Sequence, residues 1–195
     1  MMQAHGSSRG FTLIEILVML VVIGITISFV TLSIGVGGRP VELQTEAEKL
    51  TGMLQLALEE SVLTGKPMGL RIDEMLENDG SRFFYEWSVL EQGTWQALEQ
   101  HPVLQDGQAA EGIELDLTLE GVDINLQQDK KDSEDDSALK ESYQPDVFIL
   151  QSGELTPFTL HISNPDLPGQ VYRINGNPAG ALRLLRPGDE DDEDQ

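Results

Sequence analysis

Gly10, Phe11 and Glu15 are the residues whose types and spacing bear directly on chemistry. From Phe11 to Ile34 the only charged residue is Glu15, and the other polar positions are Thr12, Thr26, Ser28, Thr31 and Ser33. An ionised carboxylate in such a run is costly to bury and calls for a cationic partner. No lysine, arginine or histidine lies between Phe11 and Gly38. Cutting the Gly10–Phe11 peptide bond would release an α-amino group one helical turn before Glu15. That amine could pair with the glutamate of its own chain or of a neighbour packed alongside. A second reading stays open: Glu15 is four residues into the run and could snorkel to the interface.

The element that must position Glu15 is the run itself. As a helix, Phe11–Ile34 would extend about 36 Å at roughly 1.5 Å per residue, enough for a hydrocarbon core of about 30 Å. A removed secretory signal is the alternative, with Gly35, Gly37 and Gly38 offering small residues for cleavage. Against it, the run is longer than the usual apolar region of about 7–15 residues. The flank before the run holds Arg9 and His5 and no acid, and the remainder after Arg39 is strongly acidic. The simplest topology keeps residues 1–10 cytoplasmic and sends the chain after about residue 38 outward.

The stretch Arg9-Gly10-Phe11-Thr12-Leu13-Ile14-Glu15-Ile16-Leu17-Val18 resembles the class of type IV prepilin signals. Those signals join a short basic leader ending in glycine, a phenylalanine, and a glutamate at the fifth mature position. The resemblance implies that a membrane prepilin peptidase cuts after Gly10 and N-methylates Phe11. It also implies that the apolar helix is retained, as anchor and as the packing core of a filament.

Beyond the anchor, Gly35-Val-Gly-Gly-Arg-Pro40 is poor in helix formers, and Pro40 suits the first position of a new helix. Leu43, Ala47, Leu50, Leu54, Ala57, Leu58 and Val62 recur mostly three and four apart, with Glu42, Glu48, Gln55 and Glu59 largely opposite. This predicts an amphipathic helix ending at Gly65 and Pro67. The period then becomes two. Phe83–Leu90 alternates, as does Ile113–Glu120, and Val122, Ile124 and Leu126 continue in the opposite phase. The slip at Gly121 predicts a bulge or tight reversal. Val147–Leu150 is continuously apolar and reads as a strand buried on both faces, while Phe158–Ile162 alternates again. Val171–Ile174 and Leu182–Leu185 read as further short strands.

The expected fold is α+β, a long N-terminal transmembrane and amphipathic helix packed on an antiparallel, β-sandwich-like C-terminal domain of pilin type. The expected divisions are a removed leader, 1–10; a transmembrane helix, 11–36; an amphipathic helix, 37–66; and a β-rich periplasmic domain, 67–188. Within the last, 127–145 reads as a mobile acidic loop, and 189–195 as a disordered acidic tail.

Two later segments resemble the minor pseudopilin H family of type II secretion. Glu60-Ser-Val-Leu-Thr-Gly-Lys-Pro-Met-Gly-Leu-Arg-Ile72 is similar to that family's helix end and first strand. Val147-Phe-Ile-Leu-Gln-Ser-Gly-Glu-Leu-Thr-Pro-Phe158 carries its Ser-Gly-Glu-x-Thr-Pro-Phe signature. The resemblance implies a structural subunit near the tip of a short periplasmic pseudopilus, which helps drive folded proteins across the outer membrane. Implied partners are the other minor pseudopilins, the major pseudopilin, the prepilin peptidase, the bacterial inner membrane and secreted cargo. The competing resemblance is to minor pilins of type IV pili, some of which bind DNA.

The remaining residues exclude chemistry more than they suggest it. Acidic residues outnumber basic ones 34 to 12, a net charge of -22, which repels nucleic-acid phosphates. With no cysteine there are no disulfides, thiolate metal sites or cysteine nucleophiles. His5, His101 and His161 are scattered without ligand spacing, and Ser7, Ser8 and Gly35–Gly38 fit neither a nucleophile elbow nor a phosphate loop. The acidic runs at 129–136 and 189–194 lack the residue order of a calcium loop. No catalytic, cofactor or metal residues are therefore expected, and no enzyme.

Overall fold

The computed structural model of the chain describes residues 13–23, 38–77, 80–98, 101–127 and 144–189. It divides into two compact units, Met1–Arg39 and Pro40–Gln195. In the first unit, helix α1 covers residues 13–23.

Among the described residues of the second unit, helix α2 (Arg39–Thr64) precedes ten strands in two antiparallel sheets. The first sheet holds β1 (Met68–Glu77), β2 (Gly80–Glu91), β3 (Thr94–Ala97), β4 (Gly107–Gln108) and β7 (Val147–Ile149), ordered β3-β2-β1-β7 with β4 also on β2. The second runs β10-β9-β8-β5-β6, from Leu182–Leu185, Tyr172–Gly176, Phe158–Ser163, Glu114–Leu119 and Val122–Asp123. The α+β class and the antiparallel, sandwich-like architecture are as expected.

Alternation along the strands explains why the sheets form one interior. Leu115 stands opposite Ile162, and Ile162 opposite Tyr172. One rung along, Leu117, Leu160 and Ile174 line up the same way. On the other sheet Leu70 faces Trp87, and Ile72 faces Tyr85. These side chains meet Leu43, Ala47, Leu50, Leu54 and Ala57 of α2 in a single buried cluster. Burying an aliphatic or aromatic side chain of this size contributes about 1.5–3 kcal/mol, so the cluster outweighs any local preference of helix or strand.

The phase slip at Gly121 is a tight reversal. Leu119 pairs with Val122 across a two-residue loop, Glu120-Gly121, with φ of 49° and 81°. Gln92-Gly93 makes the same turn between β2 and β3, at 51° and 79°. Two consecutive positive φ values are what a two-residue hairpin needs to match the twist of its strands.

Two expectations are corrected. Val147–Leu150 is not buried on both faces: Val147 and Ile149 enter the core, Phe148 is half-buried, and Leu150 is exposed. Phe148 lies on the opposite face, edge-on to Trp95 with ring centroids 5.5 Å apart. On α2 the buried stripe takes in Glu46, Met53 and Ser61, while Val62 is outside it. The expected acidic loop lies mostly outside the described residues. Its described ends are held: Leu126 O accepts from Glu74 N at 2.7 Å, and Asp146 N donates to Leu70 O at 2.9 Å. Pro145 covers Gly69 so closely that a Cβ there would collide with its ring.

The outer face of the first sheet concentrates carboxylates. Asp146 Oδ2 accepts from Ile72 N at 2.9 Å, and Asp106 Oδ1 from Trp87 N at 2.7 Å. Arg71 donates to Asp73 through Nε and Nη2, at 3.1 and 3.0 Å. Burial, with the charges of Asp73 and Asp106, holds the Glu86 carboxyl above its ordinary range despite Arg71. Burial also raises Asp146, against its bond from Ile72 and the charge of Arg71. An acid raised in the folded state favours folding when protonated, and that contribution is lost as pH rises through the raised value. As pH falls from neutral through the raised values toward the ordinary carboxylate range, these two groups should therefore favour folding of the Pro40–Gln195 unit. Urea unfolding of Glu86→Gln over that fall in pH should give a higher midpoint at pH 7 and a shallower pH slope than the parent.

Candidate functional site

Helix α1 is apolar on every side. Its residues are Leu13, Ile14, Glu15, Ile16, Leu17, Val18, Met19, Leu20, Val21, Val22 and Ile23, and Glu15 is the only polar one. Its apolar side chains are 47% to 84% exposed within the chain. A helix that is hydrophobic all round belongs in hydrocarbon or packed among other helices. Among the described residues no helix is long and apolar enough to cross a membrane. Glu15 is therefore in view on α1, whereas Gly10 and Phe11, the expected cleavage and methylation sites, lie outside the described residues.

In the second unit, the two signature segments of the sequence meet at the end of α2. Gly65, at φ 68°, ends the helix with its N–H on Ser61 O at 3.0 Å. The fully buried Ser61 hydroxyl donates to Lys66 O at 2.9 Å, with Ile149 O, 88 residues along the chain, at 3.3 Å. Each residue of the Ser-Gly-Glu-x-Thr-Pro-Phe stretch has a task. Ser152 Oγ donates to Glu154 Oε2 at 2.9 Å. Gly153 turns the chain at φ 89°, and its N–H reaches Leu150 O at 2.9 Å. Thr156 closes the loop twice, donating N–H to Phe148 O at 2.9 Å and accepting Phe148 N–H on its hydroxyl at 3.1 Å. Pro157 O accepts from Glu120 N at 3.0 Å, and Phe158 enters the core. Against this turn lies Gly180, also at positive φ, where a Cβ would overlap Gly153 O and touch Leu58. The helix end, the 150–156 turn and the 177–181 turn are thus one packed junction.

Sequence reasoning missed the polar contact between helix and sheet. Glu46 and Lys49 pair at 3.1 Å, with the glutamate side chain buried. Lys49 Nζ sits 5.1 Å from the Tyr85 ring centroid. Burial works against the charge of Lys49, yet Tyr85 and Glu46 hold its pKa above the ordinary lysine value. The signal was present: Glu46 lies three residues after Leu43 and four before Leu50, on the apolar stripe. The two histidines among the described residues are accounted for locally. His101 Nδ1 accepts from Leu104 N at 2.8 Å, and His161 stands in register between Asp116 and Arg173. Among the described residues no group of three or more histidines and carboxylates is placed to hold a metal ion.

Residues 46–180, which contain this junction, match the family described as type II transport protein GspH. The chain belongs to the GspH family. The type II secretion system protein H of Vibrio cholerae serotype O1 is 30% identical to it over 203 residues, spanning 96% of this chain and 99% of its own length. That of Pseudomonas aeruginosa is 34% identical over 172 residues, 88% of this chain and 92% of its own. The minor pseudopilin EpsH from the type 2 secretion system of Vibrio cholerae superposes with a TM-score of 0.59 at 30% identity, covering 77% of this chain and 99% of that one. Escherichia coli GspH in solution, 18% identical with a TM-score of 0.53, shares the fold.

The junction gives this GspH member a direct test. Gly180→Ala adds both a backbone strain of about 1–3 kcal/mol at positive φ and an overlap with Gly153 O. Urea unfolding of the Pro40–Gln195 unit should show it destabilised by at least about 2 kcal/mol. Gly169→Ala, at φ 82° with open space around it, should be destabilised by the backbone strain alone.

Proposed function

We propose that this chain is a minor pseudopilin, a structural subunit of a type II secretion pseudopilus rather than an enzyme. The supporting observation is α1, apolar on every side around a single carboxylate, on a chain of the GspH family. A helix of that kind has no place on a freely diffusing catalyst; it is suited to side-by-side packing in a membrane and then in a filament.

In this reading residues 1–10 are a cytoplasmic leader that the prepilin peptidase removes, and Phe11 becomes the N-methylated first residue. Residues 11–36 anchor the subunit by a single pass in the bacterial inner membrane, and the α2 and β-rich part lies in the periplasm. The amine of Phe11, on its own chain or on the next subunit, then places a cation beside Glu15 in a run that carries none from Phe11 to Gly38. Membrane release and filament entry exchange hydrocarbon around α1 for neighbouring helices, while that ion pair travels with it. The other minor pseudopilins and the major pseudopilin are the assembly partners. The subunit's place near the tip, where it helps push folded cargo outward, completes the reading.

Mass spectrometry of the membrane-extracted protein should give an N-terminal peptide starting at N-methylated Phe11. A start near Val36 would identify a released periplasmic protein and end the anchor reading. Glu15→Ala should leave cleavage after Gly10 largely intact and reduce pseudopilus assembly, read as recovery of sheared filaments and as secretion. Normal secretion in that variant would remove the ion-pair role.

A further inference from the structure

The last turn of α2 leaves two consecutive apolar side chains in solvent, past the buried stripe that runs from Leu43 to Ala57. Leu63 is 80% exposed and Val62 51%. Beside them, Ile149 O approaches the Ser61 hydroxyl, and the next residue, Leu150, is 42% exposed. A Cβ at Gly153 would stand 3.7 Å from Val62 Cγ2, so the 150–154 turn is in contact with the same end of the helix. Single exposed leucines are ordinary, but here three exposed apolar side chains stand around one helix end on a junction.

Its surroundings are acidic. Glu59 lies four residues before Leu63, on the same helix face, and is exposed. Glu154 follows Gly153 and is also exposed. The cation closest in sequence, Lys66, is bonded to Glu91 at 2.5 Å. An acidic border favours a partner that brings lysine or arginine around an apolar side chain. A second copy of this chain, with net charge -22, is opposed by the same border.

Position along the helix narrows the partner further. The surface closes a helix of 26 residues, about 39 Å from Arg39 at roughly 1.5 Å per residue. It is the end of α2 furthest from the residue that follows the anchor segment. Its area is too small to hold a partner alone. In an assembly already joined through the α1 helices, a weak contact of this size is enough to fix which subunit stacks next.

We propose that Val62, Leu63 and Leu150, bordered by Glu59 and Glu154, dock the globular domain of a different pilin-like subunit. That subunit presents an apolar side chain flanked by lysine or arginine. This rests on the assembly reading above and adds the surface and the chemistry of the neighbour.

Because the chain has no cysteine, Leu63→Cys in the full-length protein carries one thiol, which a benzophenone maleimide converts into a photo-crosslinking probe. In membranes of cells with the secretion system assembled, irradiation should join it to a different pilin-like subunit, several-fold more than a probe at Glu111→Cys. Adding Glu59→Lys and Glu154→Lys should cut that yield by about threefold or more. Equal yields at Leu63 and Glu111, or adducts only with a second copy or with secreted cargo, would overturn the proposal. An unchanged yield after charge reversal would overturn the basic neighbour. A probe at Val18→Cys on α1 separates the two levels. Subunit adducts at Val18 without any at Leu63 end this surface and keep the assembly reading, whereas none at either position ends both.

Discussion

One carboxylate on a helix that is apolar all round sets the terms for this molecule. Glu15 is surrounded along the chain by leucine, isoleucine, valine and methionine, and there is no cation between Phe11 and Gly38. In hydrocarbon such a charge is tolerated only when paired, neutralised or drawn to the interface. In the proposed reading, retaining the helix and exposing an amine one turn away would meet that requirement with a group that backbone cleavage creates. The remainder of the chain is then free to be an acidic folded domain, since its solubility no longer has to serve the segment that precedes it.

The folded domain solves a different problem, the attachment of a long helix to two sheets. Apolar burial supplies the bulk of that attachment, through the stripe from Leu43 to Ala57. Direction and register come from the polar and glycine contacts. Near its start α2 is fixed by Glu46 and Lys49 against Tyr85. At its end, Gly65 closes the helix on Ser61 O, and the Ser61 hydroxyl ties it to β7 at Ile149 O. Gly180 lets its turn approach Gly153 O more closely than any side chain allows. The two sequence stretches that resemble minor pseudopilin H are therefore two halves of one joint, which is a structural reason for their sharing a family signature.

Much of this was legible in the sequence, and the failures share a cause. The strands from Phe83 and from Phe158, and the reversal at Gly121, follow from two-residue alternation, a local property. Periodicity could not tell that Phe148 would find Trp95 on the far face, because four apolar residues in a row leave the face undetermined. At the end of α2 the pattern favoured Val62, yet the buried residue is Ser61, since only a hydroxyl at that place can bond Lys66 O beside Ile149 O. Glu46 was passed over for the converse reason: a charged residue on an apolar stripe is acceptable once Lys49 is three residues away. Contacts made 88 residues apart carry no local signature. For the candidate site, the sequence placed Gly10, Phe11 and Glu15 through chemistry and resemblance, and the structure adds the all-apolar surface on which Glu15 sits.

The central claim is that the Phe11 amine and the Glu15 carboxylate form an ion pair in the assembled subunit. Solid-state NMR distance measurement between the amine nitrogen of Phe11 and the side-chain carboxylate carbon of Glu15, in membranes or filaments, tests it most directly. The account predicts an ionised carboxylate within about 4–5 Å of an N-methylated amine, on the same chain or a neighbouring one. A protonated Glu15, or an ionised one with no amine within that range, would contradict it.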